Sequence, residues 1–316
     1  MKRQRGIALL TVLVAVALAA SLAAAITWNL TLDEHRSASI IQGDQAYEYA
    51  LGAEAWAEQI LYRDRQNSPT ATTLAQNWAQ QLPPLPVEGG QILGHIDDLQ
   101  GRFNLNNLVS QAGQADPIYV QQFQRLLTAL NLDPALAGAV VDWMDADDVP
   151  TQPGGAEVDF YSRLTPPYRP PNAPMTSVSE LQAVNGVTPQ VYAALLPYVC
   201  VLPPGLPGAG GGSTATPLNV NTASAPLLMS LAPNLTQDQA NQIVGARGTN
   251  GLTSVDQIKQ YVTLPKNGPV PSVDSQYFLL TVTVEIGTTH VTLYSLLYRA
   301  TGGGKTVALR RSLGTL

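Results

Sequence analysis

Six carboxylates fall within residues 142–159, DWMDADDVPTQPGGAEVD: Asp142, Asp145, Asp147, Asp148, Glu157 and Asp159. No Lys or Arg occurs between Arg125 and Arg163, so the acids repel one another without a local counter-charge. Pro150, Pro153, Gly154 and Gly155 make the segment a loop that no helical pairing can stabilise. Two readings fit: a solvated acidic face, or a site for a hard cation. Calcium suits the second, because it takes about 6–8 oxygens in flexible geometry and accepts backbone carbonyls. Asp145 and Asp147 supply an alternating pair, with Val149 placed to add a carbonyl. The spacing of Gly and Glu is not that of an EF-hand. Without His or Cys nearby, the donors do not suit zinc.

Other chemistry is thin. His35, His95 and His290 are far apart in sequence, and no G-x-S-x-G, H-E-x-x-H or P-loop occurs. Gly302-Gly303-Gly304-Lys305-Thr306 lacks the spacing and following helix of a phosphate loop and reads as a hairpin turn. A membrane-tethered metal hydrolase would need a nucleophile or base that the sequence does not offer, so the chain reads as a non-enzyme. Residues 218–251 resemble a helix-hairpin-helix module, the basis of an alternative reading as a competence-type, pilin-like DNA-binding protein. The turn Pro233-Asn234-Leu235-Thr236 lacks both glycines of DNA-binding versions, and Arg247 is the one basic residue in the segment. No nucleic-acid partner is therefore expected. Cys200, the single cysteine, rules out an intrachain disulfide and reads as a small buried apolar residue.

The elements that would carry these residues begin with an uncharged run. Residues 7–26, IALLTVLVAVALAASLAAAI, would span roughly 30 Å as a helix, the thickness of a bilayer's hydrocarbon core. Lys2, Arg3 and Arg5 precede it and the next charge is Asp33, which predicts a cytoplasmic N-terminus and an outward-facing body. Without those three the balance is 14 basic against 23 acidic residues, a charge of −9 that gives no attraction to a polyanion. Ala23-Ala24-Ala25 also fits a signal-peptidase site, and a plain signal anchor is a further alternative. Helical spacing, however, continues without a Pro until Pro69, which predicts one helix over about 7–63.

Beyond it, a short helix is predicted at about 72–81, and a hairpin over 91–108 turned near Asp98–Gly101. Helical signals fill 113–263: Asp116-Pro117 and Asp133-Pro134 as caps, Ser177 with Glu180, Thr188-Pro189, a segment Thr222–Leu231, Thr236 with Gln239, and Ser254 with Gln257. A Gly/Pro-rich linker, Pro203–Thr216, interrupts them. Residues 277–286, 290–300 and 305–313 read as a three-strand meander with only the N-terminal helix available to cover one face.

A basic leader ending in Gly6, followed by an apolar helix, resembles a type IV prepilin leader. Most members of that group carry Glu at the fifth mature position; this chain has Thr11 there, which resembles the K-subunit family of type II secretion minor pseudopilins. The resemblance covers nearly the whole chain. It implies cleavage by prepilin peptidase between Gly6 and Ile7, methylation of the new N-terminus, and an inner-membrane anchor with a periplasmic body. The implied fold is α+β: a pilin-like long N-terminal helix on an antiparallel sheet, with a large inserted all-α domain. The organisation is then leader 1–6, membrane part 7–27, pilin-like parts 28–112 and 264–316, and insertion 113–263. The implied role is the tip of the pseudopilus, where no subunit stacks above and no amine needs a carboxylate at residue 11. Minor pseudopilins I and J would be partners, with H, the major pseudopilin G, the secretin or exported substrates as further contacts. Calcium is the implied cofactor, which favours the cation reading of the acidic loop.

Overall fold

The computed structural model describes residues 4–203 and 215–314. Lys2, Arg3 and most of the Gly/Pro-rich linker lie outside them. Helix α1, Gln4–Asn67, is continuous, as its unbroken helical spacing predicts. Its first part is exposed, apolar from Ile7 at 67% to Leu32 at 36% exposure and then charged through Asp33, Glu34 and Arg36. Its last part packs on a five-stranded sheet. There it presents alanines, Ala46, Ala50 and Ala57, with Leu61, and small residues let the helix approach closely.

The chain then runs through a 3-10 turn at Asn77–Ala79, where a short helix over 72–81 is expected; Pro83 and Pro84 leave no room for a longer one. Strands β1 (Leu85–Val87) and β2 (Gly90–Asp98) form a hairpin, and β2 pairs antiparallel not with 103–108 but with a strand near the C-terminus. The predicted hairpin at 98–101 is therefore corrected. The Asp98 side chain accepts from the Gln100 N–H and starts a 3-10 turn that leads the chain out of the sheet.

The region between this turn and the C-terminal strands is helical apart from two two-residue parallel ladders. It comprises β3 (Phe103–Asn104), α2 (Pro117–Ala129), α3 (Leu136–Asp142), α4 (Val158–Tyr161), α5 (Pro189–Leu195), β4 (Val199–Cys200), β5 (Leu218–Asn219), α6 (Ala225–Met229), α7 (Gln237–Arg247) and β6 (Pro271–Ser272). β3 pairs with β4 and β5 with β6. Of the predicted caps, Asp116 before α2, Thr188 before α5, and capping boxes at Ser177/Glu180, Thr236/Gln239 and Ser254/Gln257 form; Asp133-Pro134 is corrected, because Asp133 accepts from the Ala135 N–H at 2.9 Å in a turn ahead of α3, which begins at Leu136 with Ala135 at its N-cap. Two of the boxes open 3-10 turns, at Val178–Ala183 and Val255–Ile258, rather than α-helices. The segment expected to be helical over 222–231 contracts to α6. The core of this helical region, with Phe103, Phe123, Leu126, Val140, Leu227 and Ile243, is separate from that of the sheet.

The chain returns as β7 (Tyr277–Ile286), β8 (Thr289–Arg299) and β9 (Thr306–Ser312), the predicted meander, in sheet order β1-β2-β7-β8-β9. Phe278, Leu280, Val282 and Val284 point into the core that Ala50 and Leu61 close, while Leu279, Thr281, Thr283 and Glu285 alternate outward. Gly90 opposes Ile286, and a Cβ there would sit 1.6 Å from the Glu285 carbonyl oxygen, so only glycine allows this register. Glycines 302–304 turn β8 into β9, with Gly302 and Gly303 at positive φ.

Candidate metal centre and its relatives

The acidic loop folds back on itself. α3 ends in Asp142, and Asp145 follows one turn on, its N–H bonded to the Val141 carbonyl. The loop then closes because Thr151 N–H donates to both Asp142 oxygens at 3.0 and 3.2 Å and Gly155 N–H donates to the Thr151 carbonyl at 2.8 Å. A Cβ at Gly155 would lie 2.3 Å from Asp142 Oδ2. That contact explains the glycine the loop carries there. Glu157 arrives just ahead of α4 and completes a triad: Asp142, Asp145 and Glu157 each bring an oxygen within 4.8 Å of the others.

All three are buried, at 0%, 4% and 3% exposure. Asp145 Oδ1 and both Glu157 oxygens have no hydrogen-bond partner. No salt bridge among the described residues reaches the triad. Burial, then the neighbouring carboxylates, pushes Asp145 and Glu157 each up to about 7, and burial also raises Asp142. Converging buried oxygens, three of them without a donor, are the complement of a hard cation.

The other three predicted acids stand apart. Asp147 and Asp148 are exposed; Asp147 accepts from the Val149 N–H at 2.8 Å, and Asp148 from the Asn172 amide at 3.4 Å. Asp159 is exposed on α4. No sequence signal marks Thr151 as the residue that closes the loop, although Gly154-Gly155 marks the tight turn beside it. Nor does one point to Trp143, Tyr161 and Tyr168, which pack around each other with ring centroids 5.2–6.2 Å apart and wall off this side of α3 and α4.

The remaining chemistry-bearing residues do not converge. His95 and His290 each lie near a carboxylate of the same sheet, Asp97 at 3.7 Å and Glu285 at 3.6 Å. Cys200 is buried, its thiol donates to the Leu99 carbonyl, and burial pushes its pKa up to about 12. Arg247 is turned inward, donating to the carbonyls of Val220 and Ala223, so the helix pair α6–α7 offers no exposed guanidinium. Thr11 sits on exposed α1 with its hydroxyl bonded to the Ala8 carbonyl at 2.9 Å. Gly6 and Ile7 lie within the first turns of that helix.

Comparison with known proteins decides the assignment. Two profiles described as "Type II secretion system (T2SS), protein K" match residues 101–204 and 218–278. The type II secretion system protein K of Pectobacterium carotovorum is 36% identical over 99% of this chain and 97% of its own length.

The chain belongs to the type II secretion system protein K family.

The protein K of Pseudomonas aeruginosa is 35% identical over 98% of the chain and 93% of the relative. A chain of the crystal structure of the GspK-GspI-GspJ complex from enterotoxigenic Escherichia coli superposes with a TM-score of 0.75 at 26% identity, covering 89% of this chain and 100% of that one. The K-family assignment makes the protein a minor pseudopilin, a structural component of the secretion machinery. Its exposed apolar α1 is consistent with a single-pass inner-membrane anchor.

Proposed function

We propose that this K-family chain caps the tip of a type II secretion pseudopilus and initiates the fibre with the I- and J-type minor pseudopilins. The observation that carries this reading is the place of the insertion. The chain leaves the sheet at Asp98 and returns at Tyr277, and both points lie where α1 ends, far from its apolar start. A second domain at that end stands where the next subunit of a growing fibre would stack. Thr11 agrees: its hydroxyl is satisfied within its own helix and has no charge to offer a neighbouring amine. The relative solved in complex with GspI and GspJ supports the choice of partners.

In this reading residues 1–6 are a prepilin leader, removed at Gly6 and followed by methylation of Ile7. Residues 7–27 are the membrane part, with the N-terminus cytoplasmic and the body periplasmic. The pilin-like parts are 28–112 and 264–316, and the insertion is 113–263. Contacts with H, G, the secretin or exported cargo belong to the same reading. Co-expression of the full chain with I- and J-type subunits tests it: a ternary complex that survives detergent purification is expected, and its absence overturns the assignment of partners.

The acidic triad belongs to the same reading as a calcium site. Asp142, Asp145 and Glu157 would hold the ion, which supplies positive charge that cross-links α3 to the start of α4. Asp147, Asp148 and Asp159 stay on the surface as weaker candidates. Calcium is expected to raise the melting temperature of the chelator-treated protein, read by differential scanning fluorimetry. No shift would remove the metal from the reading.

A further inference from the structure

Trp28 is the one Phe, Tyr or Trp before Tyr47, and it stands on α1 at 68% exposure. The body of the protein does not reach it. The first half-buried residue of the helix is Gln42, whose side chain accepts from the Thr289 hydroxyl at 3.2 Å. From residue 28 to residue 42 is ~21 Å of helix. Among the described residues the indole N–H meets no acceptor. The hydroxyls near it need no outside partner, because Ser21, Thr27 and Thr31 donate to carbonyls of their own helix at 2.8–3.0 Å.

Position along the helix selects what Trp28 touches. From Ile7 to Trp28 is ~32 Å, and the hydrocarbon core of a bilayer is about 30 Å thick. No charged residue lies between the two, and Asp33, Glu34 and Arg36 begin within two turns beyond. The indole therefore falls at the step between acyl chains and headgroups. It has an apolar body and a single donor, so it is best placed where hydrocarbon meets acceptors, as it does at lipid ester carbonyls and phosphates. A dry contact with another helix would cover the ring and leave the N–H unpaired, which is costly. The inner end of the uncharged run carries no aromatic residue; Lys2, Arg3 and Arg5 stand there instead.

We propose that Trp28 anchors α1 at the lipid interface: its ring packs on acyl chains, its N–H donates to ester or phosphate oxygens of the periplasmic leaflet, and the pair of contacts fixes the depth at which the helix sits. The proposal rests on the reading of α1 as a membrane anchor. Full-length chain reconstituted into phosphatidylcholine vesicles provides the test. The lipids carry bromine either near the ester groups or near the chain ends, and tryptophan quenching is read for wild type and Trp28→Phe. Trp56, Trp78 and Trp143 lie beyond Gln42 and so stand clear of either quencher. Ester-side bromine is expected to quench the signal lost in Trp28→Phe at least threefold more than chain-end bromine, while both proteins float with the vesicles. Equal quenching, or stronger quenching from the chain ends, in a chain that floats overturns the interfacial position and leaves the membrane anchor standing. A chain that does not float overturns both. In membranes that also hold the I- and J-type subunits, a photo-crosslinker at position 28 is expected on phospholipid; attachment to protein alone overturns the proposal.

Discussion

Glu157 is buried with neither oxygen hydrogen-bonded, beside two further buried acids, and this sets how the protein answers pH. Asp145 and Glu157 sit at about 7 when folded, well above their ordinary values when unfolded. The folded state then binds protons more tightly than the unfolded state, so stability falls as pH rises across that interval. The penalty is absent below about pH 4, where both states are protonated, and complete above about pH 7. Chelator-treated protein is therefore expected to melt at a higher temperature at pH 5 than at pH 7.5. Calcium should abolish or reverse that order, and Glu157→Gln should flatten it. An equal melting temperature at both pH values in chelator would count against the triad as a source of strain. The sequence announced six acids without counter-charge; it could not say that three face inward and three face solvent, because that depends on where Thr151 and Gly155 fold the loop.

At the scale of elements, α1 was legible because its signals are local: twenty uncharged residues, no early proline, and helical spacing that runs on past the apolar run. That continuity predicts Ile7 as the first residue of the mature protein, read by N-terminal sequencing; Ile26 would point to signal-peptide cleavage instead. Helix starts were legible for the same reason, since a cap and the N–H it accepts from are two or three residues apart. Removing the Thr236 side chain as Thr236→Ala is expected to cost about 1 kcal/mol in denaturant unfolding, through loss of its bond to the Gln239 N–H. β2 shows the limit. Its alternation was visible, but its partner β7 lies on the far side of the insertion, and alternation does not name a partner. Asp98 looked like a hairpin turn because it does turn the chain, by accepting from the Gln100 N–H, yet the turn leads away from the sheet.

The whole molecule depends on a joint between the sheet and the insertion, built from polar groups. Asp98 accepts from Asn219, Thr222 and Ser275 at 2.6–2.9 Å, joining the end of β2 to the insertion and to the start of β7. Beside it, Asp274 takes Arg65 from the end of α1 at 2.8 Å and Arg299 from the end of β8 at 3.4 Å. Arg299 is fully buried and lies over the Phe278 ring at 4.7 Å. Asp274→Ala leaves two guanidinium groups without their shared carboxylate and is expected to destabilise the fold by roughly 3 kcal/mol, visible as a lower urea midpoint. A wild-type midpoint would show that Asp98 and Asp64, the other carboxylates whose charge acts on Arg299, carry the balance without it.

The amino-acid sequence by itself determined the rod, the caps, the C-terminal meander and the acidic character of one loop, because each is written in residues close enough along the chain to act on one another directly. Tertiary structure alone decided that β2 pairs with β7, that the insertion stands at the end of α1, and that three of six acids converge. Those outcomes depend on which distant surfaces bury each other, and apolar burial rewards contact without specifying the partner.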